Sequence, residues 1–124
     1  MDIINSDQAP KAIGPYSQAI RAGNVIYTSG QIALDPATGA LVEGDFAAQA
    51  HRVFENLKAV LAAGGATFSN VAKATVYLTD LANFTTLNEI YASYFGPTKP
   101  ARTTVGVAQL PKGGLVEIDL IAIV

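Results

Sequence analysis

The chain has 124 residues, of which 50% are hydrophobic and 15% are charged, and its formal net charge is −2. This size fits a single domain over residues 1–124, and the absence of lysine or arginine runs and of a long apolar stretch argues against nucleic-acid and membrane partners. The lack of cysteine and of a signal-peptide pattern favours a cytoplasmic protein without disulfides, and a single histidine, His51, argues against a zinc-type metal site.

Short β-strands dominate the first third of the chain. Residues 17–21 and 24–28 predict two strands around a turn at Ala22-Gly23. Residues 29–34 continue in an extended conformation as far as 35–39, where the sequence DPATG predicts a turn. We therefore expect three extended segments before the first helix.

Two amphipathic helices flank a further strand in the middle of the chain. The apolar spacing that follows Asp45, a suitable N-cap, predicts a helix that stops at Gly64-Gly65. Residues 72–79 alternate between apolar and polar side chains, which is typical of a strand. Asp80 is then expected to cap a second helix, whose apolar face runs over 84–95.

Two β-rich segments, 102–108 and 115–124, close the chain on either side of the sequence PKGG at 111–114. The resulting order, β-β-β-α-β-α-β-β, predicts an α+β fold in which both helices pack on one face of a mixed sheet. The last strand is apolar on both faces, which is typical of a strand buried on both sides. Since no helix remains for the second face, we predict self-association through it.

Arg102 is the arginine whose position best suits ligand binding. Arg52 lies in the first helix near Glu55, and Arg21 lies beside a turn, whereas Arg102 opens a strand of small and β-branched residues. A guanidinium at the end of a sheet can bind a carboxylate through two hydrogen bonds. The residues alone leave this interpretation and a structural salt bridge equally open.

Glu117 is an unusual residue within the apolar final strand. An unpaired buried charge is costly, so the carboxylate needs either a partner or a chemical task. A structural ion pair at an interface and an acid/base group with a raised pKa both fit the sequence. Asp119 has the same parity in the strand and could be the structural member of the two.

Three weaker signals complete the set of candidate residues. Tyr16 follows Gly14-Pro15, a rigid corner, and Gly30 after Ser29 would let a ligand approach the backbone closely. Asn88 lies on the second helix. Taken alone, each of these also fits a packing or solvent-exposed residue.

Four segments of the chain resemble the RidA, or YjgF-like, family: IGPYSQAI (13–20), YTSGQIALDP (27–36), LAAGGATFSNVAKATVYLTD (61–80) and PARTTVGVAQLPKGGLVEID (100–119). The resemblance implies a chorismate-mutase-like fold and a homotrimer with clefts between subunits. It also implies an enamine/imine deaminase that needs no metal or cofactor. Such enzymes hydrolyse 2-aminoacrylate and 2-aminocrotonate, as their imine tautomers, to 2-oxo acids and ammonia.

The resemblance also implies roles for individual residues. Arg102 in PAR matches the arginine that binds the substrate carboxylate, and Glu117 in VEI matches the glutamate that works with the hydrolytic water. The remaining matches line the cleft: Tyr16, Ser29, Gly30 and Asn88. Glu117, Arg102 and Tyr16 are therefore the predicted catalytic residues.

One position departs from the family pattern. Many relatives carry a cysteine two residues after the arginine, where this chain has Thr104. Thiol chemistry is excluded here, but imine hydrolysis is not, because water is the nucleophile. Thr104 can still offer its hydroxyl or backbone N–H to the carboxylate. A non-catalytic ligand-binding protein and a holdase-type interaction protein are the alternative functions, and the acidic charge balance argues against a ribonuclease.

The spacing of Arg102 and Glu117 predicts where the site is assembled. If the last two strands pair antiparallel through PKGG, Glu117 lies level with position 107–108. Arg102 would then be roughly 17–20 Å away along the sheet. One small substrate cannot span that distance, so we expect the two residues to meet across a subunit interface.

Overall fold

A six-stranded sheet and two helices form the molecule in the computed structural model, which describes all of residues 1–124. The elements are β1 (Asp2–Ile4), β2 (Ala19–Ala22), β3 (Val25–Thr28), α1 (Phe46–Ala63), β4 (Val71–Leu78), α2 (Phe84–Phe95), β5 (Ala101–Gly106) and β6 (Val116–Ile123). The spatial order of the strands is β1-β2-β3-β6-β4-β5, and only β4 and β5 run parallel. The predicted α+β class and mixed sheet are confirmed.

The first strand is a different segment from the one predicted. Asp2–Ile4, which carries no periodic signal, pairs antiparallel with β2. Residues 29–34, expected to extend the sheet, form only two isolated bridges. The backbone N–H of Leu34 donates to the carbonyl of Ile32 at 2.8 Å, and this tight turn ends the extended conformation. The element order is therefore right, although one of its strands was assigned to the wrong residues.

Both helices form where the apolar spacing predicts them. The Asp45 carboxylate accepts from the backbone N–H of Ala48 at 3.0 Å and caps α1, which stops at Gly64. Asp80, in contrast, caps a short 3₁₀ turn (Leu81–Asn83) rather than α2 itself. The second helix begins after that turn, at Phe84, without a side-chain cap. The predicted cap was thus placed one turn too early.

The two faces of the sheet differ in what covers them. On β4 and β6 the fully buried residues alternate and face the helices, where 25 buried residues form one core. No helix packs on the opposite face, which we call the open face. Large side chains remain exposed on it, including Tyr27 (45%), Val105 (38%) and Ile123 (41%). No helix of the chain has the length and hydrophobicity that crossing a membrane requires.

The last two strands are not neighbours, contrary to the hairpin predicted from PKGG. β4 lies between them and pairs parallel with β5 and antiparallel with β6. The PKGG segment forms a 3₁₀ turn at Pro111–Gly113 instead of a hairpin turn. A strand that is apolar on both faces gains most from a central position, which explains why β6 lies between β3 and β4. The distance derived from a hairpin is therefore wrong.

Candidate functional site

Arg102 is held against one face of α2 by three side chains. Its Nη1 donates to Asn88 Oδ1 at 2.8 Å. Its guanidinium carbon lies 4.8 Å from the centre of the Tyr91 ring and 5.4 Å from that of the Phe84 ring. Phe84, Asn88 and Tyr91 recur at i, i+4 and i+7, so they form one stripe on the helix. We call Arg102 and these three residues the arginine clamp.

Two buried hydroxyls, one within the clamp and one next to it, lack hydrogen-bond partners in the chain. Thr104 lies two residues from Arg102 on the same face of β5, and its Oγ1 is buried and unpaired, as is the Tyr91 hydroxyl. Burial raises the pKa of Tyr91, opposed by the charge of Arg102, so the phenol stays protonated at neutral pH. A buried unpaired hydroxyl costs roughly 1–3 kcal/mol. The polar groups near Arg102 are therefore not all satisfied within the chain.

Glu117 lies in a second location, against Gly30. A Cβ built on Gly30 would come within 2.5 Å of Glu117 Oε2, so the absence of a side chain there makes room for the carboxylate. Both residues line a cavity of about 260 Å³ together with Tyr16. The Tyr16 hydroxyl accepts from the backbone N–H of Ile13 at 3.3 Å, which leaves its own proton available to a ligand. We call this space the glutamate cavity.

The electrostatic setting of Glu117 favours the protonated form of its carboxyl group. Burial raises the pKa of Glu117, and the nearby charge of Asp119 raises it further. Burial also raises the pKa of Asp119, but the Tyr77 hydroxyl, which donates to Asp119 at 3.2 Å, opposes that shift. Asp119 is thus held by a protein partner, whereas no side chain of the chain stabilises the charge on Glu117.

Ser29 lies apart from the glutamate cavity. Its hydroxyl donates to the carbonyl of Ser17 at 2.6 Å, and its backbone N–H donates to the carbonyl of Gln18 at 2.9 Å. It lines a separate cavity of about 220 Å³ beside Tyr27 on the open face. Of the predicted pair, only Gly30 contacts Glu117.

Arg102 and Glu117 lie on opposite faces of the sheet. Arg102 is opposite Ala74, which is fully buried under the helices, whereas Glu117 is opposite Tyr77 on the open face. Their backbones are also separated by two strand spacings across the sheet, about 10 Å, and by three residues along the strands, about 10 Å more. The chain therefore contains two groups of candidate residues, the arginine clamp with Thr104 and the glutamate cavity with Tyr16 and Gly30. One copy does not bring these two groups together.

Sequence reasoning missed the two aromatic members of the clamp. Phe84 and Tyr91 were interpreted as part of the apolar face of the second helix, but Phe84 is 40% exposed and both rings flank a guanidinium. Their spacing relative to Asn88 was the available signal. Arg52, expected to pair with Glu55, donates instead to Asn56 at 3.0 Å. His51 is exposed, and its ring approaches the Tyr94 hydroxyl at 3.1 Å.

Comparison with known proteins identifies the family. A family model described as endoribonuclease L-PSP matches residues 6–124. Protein DfrA of Myxococcus xanthus is 60% identical, with 97% of this chain and 93% of that protein covered. A Bos taurus protein named 2-iminobutanoate/2-iminopropanoate deaminase is 50% identical, with 98% and 88% covered.

A solved structure extends the similarity to the whole backbone. The crystal structure of E. coli TdcF with bound serine superimposes with a TM-score of 0.95 at 41% identity, covering 100% of this chain and 99% of that one. Members of the family carry more than one name, and some are named deaminases. On these matches the chain belongs to the YjgF/RidA family.

Proposed function

We propose that this protein hydrolyses 2-imino acids to 2-oxo acids and ammonia, as a 2-iminobutanoate/2-iminopropanoate deaminase. The observation that carries the proposal is the carboxyl group of Glu117, which lies in a cavity against Gly30 with a raised pKa. A positioned carboxylate whose pKa is raised accepts a proton more readily than an ordinary carboxylate does. The name of the bovine relative supports the same substrate class.

Arg102 binds the substrate carboxylate in this proposal. The contact with Asn88 uses Nη1 and leaves other donors of the guanidinium available. The flanking rings restrict the plane of the group, which favours a planar, two-bond contact with a carboxylate. Thr104 Oγ1, which is unpaired within the chain, is a nearby group that can donate a hydrogen bond to the same carboxylate.

Glu117 accepts and donates the protons of the reaction in this proposal. Its carboxylate accepts a proton from water as the water oxygen attacks C2 of the imine, and the electron pair of the C=N bond moves to nitrogen, which is protonated. The resulting carbinolamine then collapses. Glu117 accepts the hydroxyl proton and passes it to the nitrogen, so the C–N bond breaks, ammonia leaves, and a C=O bond forms. Tyr16, whose phenol proton is uncommitted, can donate a hydrogen bond to the reacting group.

A complete site requires a second copy of the chain. Arg102 and Glu117 leave opposite faces of the sheet, so one substrate can contact both only if they come from different copies. The exposed Tyr27, Val105 and Ile123 side chains make the open face a suitable contact surface. We propose a homotrimer whose clefts lie between subunits, with Arg102 from one copy and Glu117 from its neighbour.

The proposal is tested by coupling the protein to a serine dehydratase, which releases 2-aminoacrylate. We expect the rate of ammonia formation from the intermediate to rise with the concentration of this protein. A protein that binds 2-oxobutanoate but leaves ammonia release at the uncatalysed rate would instead be a non-catalytic ligand-binding member of the family. Binding requires Arg102, whereas turnover also requires Glu117.

Substitution of Tyr91 tests the arginine clamp. Tyr91→Leu removes the ring beneath the guanidinium, and we expect it to raise KM about threefold to tenfold with a smaller change in kcat, because the arginine is less well oriented. Tyr91→Phe keeps the ring and removes an unpaired hydroxyl, so it should retain the wild-type KM. Equal KM values for the leucine and wild-type proteins would contradict a positioning role.

The pH profile tests the electrostatic coupling of the two carboxylates. Asp119→Asn removes the like charge that raises the pKa of Glu117 but retains an acceptor for the Tyr77 hydroxyl. The pKa of Glu117 should fall, since its ionised form is no longer opposed. The acid limb of the kcat profile should therefore move to lower pH. An unchanged acid limb would mean that another group controls it.

A further inference from the structure

The glutamate cavity carries an excess of positive charge. Lys11 and Lys112 both line it, and Glu117 is its one acidic residue. The chain has only five lysines and a net charge of −2, so two ammonium groups around one cavity are a local concentration of positive charge. The cavity is therefore locally cationic in an acidic protein.

Neither of these lysines is committed to another side chain. The one lysine that donates a hydrogen bond to a side chain is Lys73, which bonds Thr103 at 2.9 Å. Burial and the charge of Asp119 raise the pKa of Glu117, and no salt bridge joins its carboxylate to either ammonium. Both ammonium groups are therefore available to an anionic ligand.

Lys112 also adopts a backbone conformation that lysine disfavours. Its φ of 57° makes it the only residue other than glycine with a positive φ, even though two glycines follow it directly. Such outliers concentrate at functional sites. Here the conformation belongs to the 3₁₀ turn that borders the cavity.

The remaining walls of the cavity suit a short carbon chain. Ile13, Ile32 and Leu34 contribute apolar surface. The volume of about 260 Å³ lies below the roughly 300–1,000 Å³ of pockets that hold larger ligands. A compact organic acid fits this combination of apolar wall and ammonium groups better than a nucleotide or a cofactor does.

We infer that Lys11 and Lys112 form a subsite for a second, distal carboxylate, so that the protein accepts 2-imino acids with acidic side chains, such as 2-iminoglutarate. The inference rests on the proposed function, because it assumes that Glu117 meets the imine carbon and that Arg102 of a neighbouring copy holds the first carboxylate. The side chain of the substrate then extends along the apolar wall to the two ammonium groups.

Binding of two product analogues of equal chain length tests the subsite. 2-Oxoglutarate carries a distal carboxylate where 2-oxopentanoate carries a methyl group, so calorimetric Kd values for the two isolate the added charge. We expect the wild-type protein to prefer 2-oxoglutarate about fivefold at low salt, with the preference reduced at high salt. The double variant Lys11→Gln/Lys112→Gln should lose this preference and bind 2-oxopentanoate normally.

Lys58→Gln provides the matched control. Lys58 is an exposed lysine of α1 that lines a separate groove, so Lys58→Gln changes the net charge as much as Lys11→Gln or Lys112→Gln alone does, without touching the cavity. The control should keep the wild-type preference. Equal affinity of the wild-type protein for both acids would overturn the inference. An equal loss of affinity for 2-oxoglutarate and 2-oxopentanoate in the double variant would also overturn it, since the lysines would then bind the carboxylate that both acids share.

The proposed function is judged separately. Ammonia release from 2-aminoacrylate does not depend on a distal carboxylate. Activity in that assay without a preference for 2-oxoglutarate over 2-oxopentanoate would therefore refute the subsite and leave the proposed function standing. Failure to bind either 2-oxo acid overturns the subsite as well, and the ammonia assay then decides whether the deaminase assignment stands.

Discussion

Arg102→Ala is expected to abolish imine hydrolysis while the protein remains folded. The substitution removes the guanidinium that is proposed to bind the substrate carboxylate. Loss of a charge-assisted, two-bond contact costs on the order of 2–4 kcal/mol, or about 30- to 1,000-fold in kcat/KM. Arg102 lies on β5, at the edge of the sheet, and is only partly buried. Its contacts with the aromatic rings contribute about 0.5–1 kcal/mol to stability, so the melting temperature should fall by only a few degrees.

Two further variants separate the charge of Arg102 from its geometry. Arg102→Lys keeps a cation near the rings but cannot reproduce the planar fork, so it should recover little activity. Arg21→Ala removes another partly buried arginine, whose Nε donates to the carbonyl of Gly23, and should leave turnover unchanged. Wild-type kcat/KM in a folded Arg102→Ala protein would rule out the proposed role of this residue.

The fold could be predicted from the sequence wherever a periodic signal was long. The apolar stripe after Asp45 and the alternation predicted along 72–79 correspond to α1 and β4 within about one residue. Asp2–Ile4 was missed because three residues carry no period, and its strand forms only by pairing with β2. The central position of β6 was also missed, because PKGG looked like a hairpin turn while the placement of a strand depends on the whole sheet.

The candidate site was predictable in its residue types but not in its assembly. Arg102 and Glu117 stood out as charges in β-rich segments, and the structure gives each a distinct surrounding. The clamp of Phe84 and Tyr91 was not predicted, because aromatic residues at helical spacing usually belong to a core. The separation of Arg102 from Glu117 was expected for a wrong reason. A hairpin register was assumed, whereas the sheet places them on opposite faces.

Glu117→Gln is expected to lower kcat far more than it changes the binding of 2-oxobutanoate. Glutamine keeps the shape of the side chain beside Gly30 but cannot accept the proton of the attacking water. Loss of general-base catalysis typically costs 10²- to 10⁴-fold, so the variant should have about 1% of wild-type turnover or less. If binding and turnover fall equally, Glu117 is an architectural residue.

Mixing the two inactive variants then tests whether the site lies between copies. Each site would need Arg102 from one copy and Glu117 from the next, so random co-assembly of equal amounts of Arg102→Ala and Glu117→Gln gives about a quarter of sites both wild-type residues. Wild-type protein mixed with the double variant should also retain about a quarter of the activity. A site within one copy predicts no recovery in the first mixture and about half in the second. The two mixtures therefore give opposite patterns for the two arrangements, provided that mass measurement confirms mixed oligomers.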